Sequence, residues 1–141
     1  MARELVLICW KCRLEIGQDD GYLWAHTGEV DVVQRTFRGW DKQYTGPDGG
    51  LSLTLGQMLA YPEPAFWRAH HQHCDPDRDG MHYRVPAERL RIRADLLDWT
   101  AHLMEKGWLP YTDWREVIRE TRTGGTRFAV PGPRPSSRRA V

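Results

Sequence analysis

The sequence predicts an α+β fold in which a small zinc-stapled β unit packs against a C-terminal helical hairpin. Three observations carry this expectation. Two ligand pairs, Cys9-x-x-Cys12 and His71-x-x-Cys74, are separated by 58 residues, and the first lies in a short β-prone opening. Apolar residues recur at helical spacing over residues 93–106. Thr112 and Asp113 then open a second helical pattern, after a stop at Gly107 and Pro110. At 141 residues the chain has the length of one domain. Its expected extent is 1–121, with a basic tail over 122–141 that reads as disordered.

Residues 4–10 read as a strand because Leu5, Val6, Leu7 and Ile8 form a short apolar run. Residues 13–16 and 22–26 flank the turn-rich stretch from Gly17 to Gly21, which predicts a hairpin. Val30, Val33, Phe37 and Trp40 share a helical face, so a helix is expected there. Thr45 to Gly50 is a loop by its Gly and Pro content. Thr54 and Gln57 make a capping box ahead of a short helix. Pro64 suits a first helical turn, and Trp67, His70, His71 and Cys74 follow on one helical face. Asp75-Pro76-Asp77-Arg78-Asp79-Gly80 breaks that element, and residues 81–85 form a strand closed by Pro86.

In the long helix, Leu97, Ala101, Met104 and Trp108 form an apolar row, with Leu96, Trp99 and Leu103 beside it. Asp95, Asp98, His102 and Glu105 form its polar stripe, and Gly107 stands just past its end. Thr112 or Asp113 caps the last helix, which turns Trp114, Val117 and Ile118 inward.

Composition narrows the class. With 40% hydrophobic residues and seven Trp, the chain can build a core. No apolar run reaches the roughly 18 residues a membrane span needs, and the opening is too short for a signal peptide, so a cytoplasmic location without membrane contact is expected. The net charge of +1 excludes a uniformly basic or acidic protein. Charge is nevertheless uneven. Residues 122–141 carry five Arg and no acid, while the rest hold fifteen basic against nineteen acidic residues, a net of −4. Seventeen of the twenty basic residues are Arg and there is no Asn, a bias of GC-rich coding.

All three cysteines fall in the two ligand pairs, so an odd count argues for metal and against a disulfide framework. Three thiolates and an imidazole match tetrahedral Zn²⁺, one structural ion held by Cys9, Cys12, His71 and Cys74. His70, His73 and His26 remain alternatives to His71. Closing the intervening loop with one ion makes the metal part of the folding energy.

The order C-x-x-C, Ile16-Gly17, then Trp67 ahead of H-x-x-C resembles treble-clef-like CCHC zinc fingers, most of all the nick-sensing fingers of poly-ADP-ribosylating enzymes. The resemblance spans about 25 residues, has a longer gap between ligand pairs and meets Asp75-Pro76 where those fingers continue a helix. The run from Ala94 to Leu109 is similar to small zinc-binding proteins of actinobacteria and their phages, which implies an origin and no activity.

Arg84, Arg89, Arg91 and Arg93 form the best basic cluster inside the domain and are the candidate nucleic-acid contacts. The expected function is therefore non-catalytic binding of nucleic acid, or of a protein that acts on it, with no small-molecule substrate. Two alternatives belong to other classes: a metal-dependent phosphodiesterase or nuclease using His70, His71 and His73, and a pure protein-interaction module anchored by exposed Trp. Against hydrolysis, four ligands leave no open position for water.

Three further signals carry less. Asp75-x-Asp77-x-Asp79-Gly80 begins like a calcium loop, but its twelfth position is Pro86 where a bidentate carboxylate is required. Asp98, His102 and Glu105 read as a solvated helix face. Gly46-Pro47-Asp48-Gly49-Gly50 is turn chemistry, too sparse to cradle phosphate.

Overall fold

The computed structural model describes residues 4–46 and 62–129. The described residues form a mixed fold, a three-stranded antiparallel sheet with three helices. In chain order these are β1 (Gly21–His26), α1 (Thr27–Tyr44), β2 (Arg68–His71), β3 (His82–Pro86), α2 (Arg93–Met104) and α3 (Trp114–Thr123), with single 3₁₀ turns at Gln72–Cys74, Ala87–Arg89 and Leu109–Tyr111. No helix among the described residues is long and apolar enough to cross a membrane. The expected capping box at Thr54 and Gln57, and most of the loop before it, lie outside the described residues.

β1 is the central strand, in the order β2-β1-β3. Alternation along it separates two faces. Leu23 pairs with Ala69 and Val85, and these three side chains are fully buried in the apolar core. On the opposite face Trp24 pairs with Arg68 and Arg84, Tyr22 with His70, and His26 with His82. That face is polar and lies under the loop at residues 75–80. Tyr22 donates its hydroxyl to Asp75 at 2.5 Å, and Asp75 also stands 3.4 Å from His82 Nδ1. Trp24 stacks on His82 with centroids 4.0 Å apart and donates its indole N–H to His70 Nδ1 at 2.9 Å. Burial and the Asp75 carboxylate push the Tyr22 hydroxyl up to about 12.

Gly21 begins β1 where the strands press closest. A Cβ there would collide with the His70 carbonyl oxygen and stand 2.9 Å from His71 Cα. Gly21→Ala is expected to destabilise the fold by about 1–3 kcal/mol, the usual cost of overpacking. A urea midpoint unchanged from the parent would contradict this crowding.

Several sequence expectations are corrected. The hairpin joining residues 13–16 to 22–26 is absent, because Gly21–His26 spends both of its edges on β2 and β3. Residues 13–16 instead fold back one element earlier: Cys9 N–H bonds the Leu14 carbonyl at 2.9 Å and Ile16 N–H that of Leu7 at 2.9 Å. Residues 4–10 keep the strand-like alternation, with Leu5, Leu7 and Cys9 buried, but they make only isolated bridges, Leu7 to Phe128 and Ile8 to Glu15. The helix expected around His70, His71 and Cys74 is the strand Arg68–His71 followed by a 3₁₀ turn. Pairing with β1 satisfies its backbone, and strand alternation then sends His70 and His71 to opposite faces.

Helix α1 matches its expected register. Val30 is buried, while Val33, Phe37 and Trp40 are half-buried along the same face. In α2 the inward residues are Leu96 and Leu103, while Leu97 is 69% and Met104 71% exposed and Ala101 is also exposed. The expected row is thus rotated outward. Asp95 does serve the helix start, accepting N–H bonds from Arg91 at 2.9 Å and Ile92 at 3.3 Å. In α3, Trp114 and Val117 are buried and Ile118 half-buried, as expected.

The end of the domain also differs. Residue 121 lies inside α3, and the chain stays folded through residue 129. Phe128 is buried against Leu7, and Ala129 N–H bonds the Val6 carbonyl at 2.9 Å. Arg127 is buried in a network: its guanidinium donates to Asp113 at 2.6 Å, to the Trp67 carbonyl at 3.2 Å, and to Glu120. Asp113 stands at the N-cap of α3 but spends its other oxygen on the Trp67 N–H at 2.8 Å, and the Thr112 hydroxyl accepts the Trp114 N–H at 3.3 Å. Burial pushes the Asp113 carboxyl up despite these partners. A segment read as disordered from its Gly and Arg content is ordered here by two acids supplied from α3 and its N-cap. Residues 130–141 lie outside the described structure.

Candidate metal centre

The opening segment reverses direction at the first ligand pair. Cys9 carbonyl accepts the Arg13 N–H at 3.0 Å, and Arg13 takes a left-handed conformation at φ 65° to complete the turn. Trp10 N–H bonds the Ala69 carbonyl at 2.7 Å, which locks this turn to β2 two residues before His71. The second pair spans the end of β2 and the 3₁₀ turn after it, where Gln72 N–H bonds the Asp20 carbonyl at 2.9 Å. The fold therefore brings together two local turns from distant parts of the sequence.

The result is one group of four donors. Cys9 Sγ, Cys12 Sγ, Cys74 Sγ and a ring nitrogen of His71 lie within 4.8 Å of one another, the one such group among the described residues. Nδ1 of His71 stands 3.3 Å from Cys12 Sγ and 4.0 Å from Cys74 Sγ. Zn–S bonds of about 2.3 Å and Zn–N bonds of about 2.0 Å place such pairs roughly 3.5 Å apart around a tetrahedral ion. These four residues could hold a metal. Cys9, His71 and Cys74 are buried and Cys12 is exposed, so the cluster touches solvent on one side.

The surroundings orient His71 and favour the thiolate of Cys9. Nε2 of His71 lies 2.8 Å from the Glu15 carbonyl, to which it donates its proton, leaving the Nδ1 lone pair facing the sulfurs. Asp20 adds a carboxylate 3.4 Å from the same Nε2. Burial disfavours the His71 cation, but the Glu15 carbonyl and the Cys9 sulfur outweigh it and push the ring's basicity up. Burial likewise pushes the Cys9 thiol up, yet backbone N–H groups of Cys12, His71 and Lys11 outweigh that and hold it at about 6. Cys74 goes the other way, to about 11, through burial and the neighbouring sulfurs of Cys9 and Cys12. One thiolate forms readily at Cys9, and a cation would favour a second at Cys74 beside it.

The alternative histidines stand elsewhere. His70 is buried on the opposite sheet face against Trp24. His73 is exposed and stacks on the His71 ring with centroids 5.2 Å apart, outside the four-donor group. His26 caps α1 by accepting the Glu29 N–H at 3.1 Å and points its other nitrogen at Asp77, 3.4 Å away. Asp77 is also 3.4 Å from His82 Nε2.

The four candidate arginines are all exposed, Arg84 on β3, Arg89 in the 3₁₀ turn after it, Arg91 in the link beyond and Arg93 at the start of α2. Arg84 lies over the Tyr22 ring at 4.6 Å and bonds the Arg78 carbonyl. Arg89 lines a shallow cavity with Asp98, Trp99 and His102. Arg91 serves the fold through its backbone, its carbonyl accepting N–H bonds from Glu4 and Leu5, and Arg93 reaches the Thr121 carbonyl at 3.4 Å. The residues that sequence reasoning missed are the supports: Glu15 and Asp20 behind His71, and the Asp113–Arg127–Glu120 network. Carbonyl partners leave no trace in side-chain identity, and the network joins residues with no motif. The chain matches no protein-family model, no curated protein and no solved structure.

Proposed function

We propose that the chain is a zinc-stabilised, non-catalytic binding module that contacts nucleic acid or a protein acting on it. The observation that carries the reading is the donor set itself. Three sulfurs and one imidazole converge within 4.8 Å, which suits a closed tetrahedral zinc with no position left for a reacting water. The nuclease alternative loses its second histidine, because β2 turns His70 away from the ligand face. Exposed Arg84, Arg89, Arg91 and Arg93 supply cations for a phosphate backbone.

Elemental analysis of the purified chain is expected to return one zinc per molecule. Binding of labelled oligonucleotides, followed by anisotropy, is expected to weaken steeply with salt, by a log–log slope of about −0.7 to −0.9 per phosphate contacted. Replacing any one contacting arginine with Ala should flatten that slope by about 1. Absence of binding to every oligonucleotide at low salt would refute the nucleic-acid reading and favour a protein partner.

A further inference from the structure

The metal turn does more than hold ligands: it displays a side chain of a kind that folding normally hides. Trp10, between the two cysteines, is 52% exposed, and its backbone is pinned to β2 by the bond to Ala69. Phe66, just before β2, is 43% exposed. Both line one groove of about 500 Å³, together with Arg68, Thr126 and Arg127. Two rigid aromatic faces on one groove form a surface on which planar groups stack.

Charge decides what kind of planar group. The acids that line the groove are already neutralised, Asp113 by Arg127 at 2.6 Å and Glu116 by Arg119 at 2.6 Å. Arg68 is held by Glu29 at 3.4 Å. Lys11 and Arg13, on either side of Cys12 in the metal turn, are exposed and have no carboxylate partner among the described residues; Arg13 reaches only the Thr126 carbonyl, at 3.5 Å. The uncompensated charge beside the aromatic groove is therefore positive. Aromatic platforms with adjoining free cations are how unpaired bases and their phosphates are held, whereas bases in a duplex are already stacked and out of reach.

We infer that this groove, lined by Trp10 and Phe66, with Arg13 reaching its Thr126 and Lys11 next to Trp10 in the same turn, binds a short single strand of DNA or RNA with little preference for sequence. The inference rests on the nucleic-acid reading above and relocates the main contact from the arginines around α2 to the metal turn. In it, Trp10 and Phe66 stack on successive bases while Lys11 and Arg13 meet the phosphates.

The test titrates the zinc-loaded chain with a mixed-sequence 12-nucleotide single strand, as DNA and as RNA, and with the matching duplex. Single strands should bind at least tenfold more tightly than duplex and quench tryptophan fluorescence. Trp10→Ala and Phe66→Ala should each weaken binding about tenfold, the worth of one stacked base. Lys11→Gln and Arg13→Gln should each flatten the salt slope by about 0.7. Zinc content and melting temperature should hold at these exposed positions, and Arg35→Gln, on the outer face of α1, should bind as the parent does. Undiminished binding by Trp10→Ala and Phe66→Ala, with loss on Arg89→Ala or Arg91→Ala, overturns the groove and leaves the proposed function standing. Failure of the parent to bind any strand or duplex overturns both the groove and the nucleic-acid part of the proposed function, as does salt-independent binding of an apolar peptide in place of nucleic acid.

Discussion

Stripping the metal with a strong chelator is expected to unfold the domain outright. Hydrogen bonds bring the two ligand turns together, but a bound ion would be what ties three sulfurs and an imidazole directly to one another, and two of those sulfurs belong to a turn that makes no regular strand. Structural zinc sites are worth about 10–16 kcal/mol of apparent binding energy, against a total domain stability of about 5–15 kcal/mol. A bound ion would also close the 58-residue interval between the two ligand pairs, whose loop entropy otherwise opposes folding. Far-UV circular dichroism should show loss of structure on chelation and recovery on adding zinc. Cys9→Ser and Cys74→Ser should each behave like the stripped protein, since both cysteines are buried. Metal-free protein that keeps its spectrum and melting temperature would remove the basis for a structural ion.

The second large effect is expected at Asp113. Its carboxylate holds Arg127 and the Trp67 N–H at once, and Asp113→Ala leaves a buried guanidinium with only Glu120 and the Trp67 carbonyl, and a buried amide with no partner. Breaking one side of a buried ion pair costs about 3–5 kcal/mol. Urea unfolding should register that loss, and the double variant Asp113→Ala/Arg127→Met should lose clearly less than the two single losses combined. Additive losses would show that the two residues stabilise the fold independently.

How much of this was legible in the sequence depended on distance along the chain. Cys9-x-x-Cys12 and His71-x-x-Cys74 are local spacings, so all four candidate ligands were readable, and the structure gathers them. The element carrying His71 was not. Trp67, His70, His71 and Cys74 fit a helical face by coincidence of spacing, while the backbone partner that makes the segment a strand lies some 50 residues earlier in β1. The same limit explains the hairpin error, since Gly21–His26 finds both of its neighbours far downstream. Helix α1 was legible because its period is its own. The inward face of α2 was not: Leu96 and Leu97 are equally apolar, and only the packing of the finished core buries the first and exposes the second. Arg127 and Phe128 looked like tail because composition cannot show that Glu120, Asp113 and Leu7 await them.

The bridge from Leu7 to Phe128, with Ala129 bonded to Val6, ties nearly the first described residues to the last. Residues 127–129 thus complete the edge of an opening segment whose other backbone partners are Leu14, Ile16, Ala69 and Arg91. A chain cut after α3 would leave Leu7 without Phe128 and the Val6 carbonyl without Ala129, so the strip that carries the first ligand pair would be clasped on one side alone.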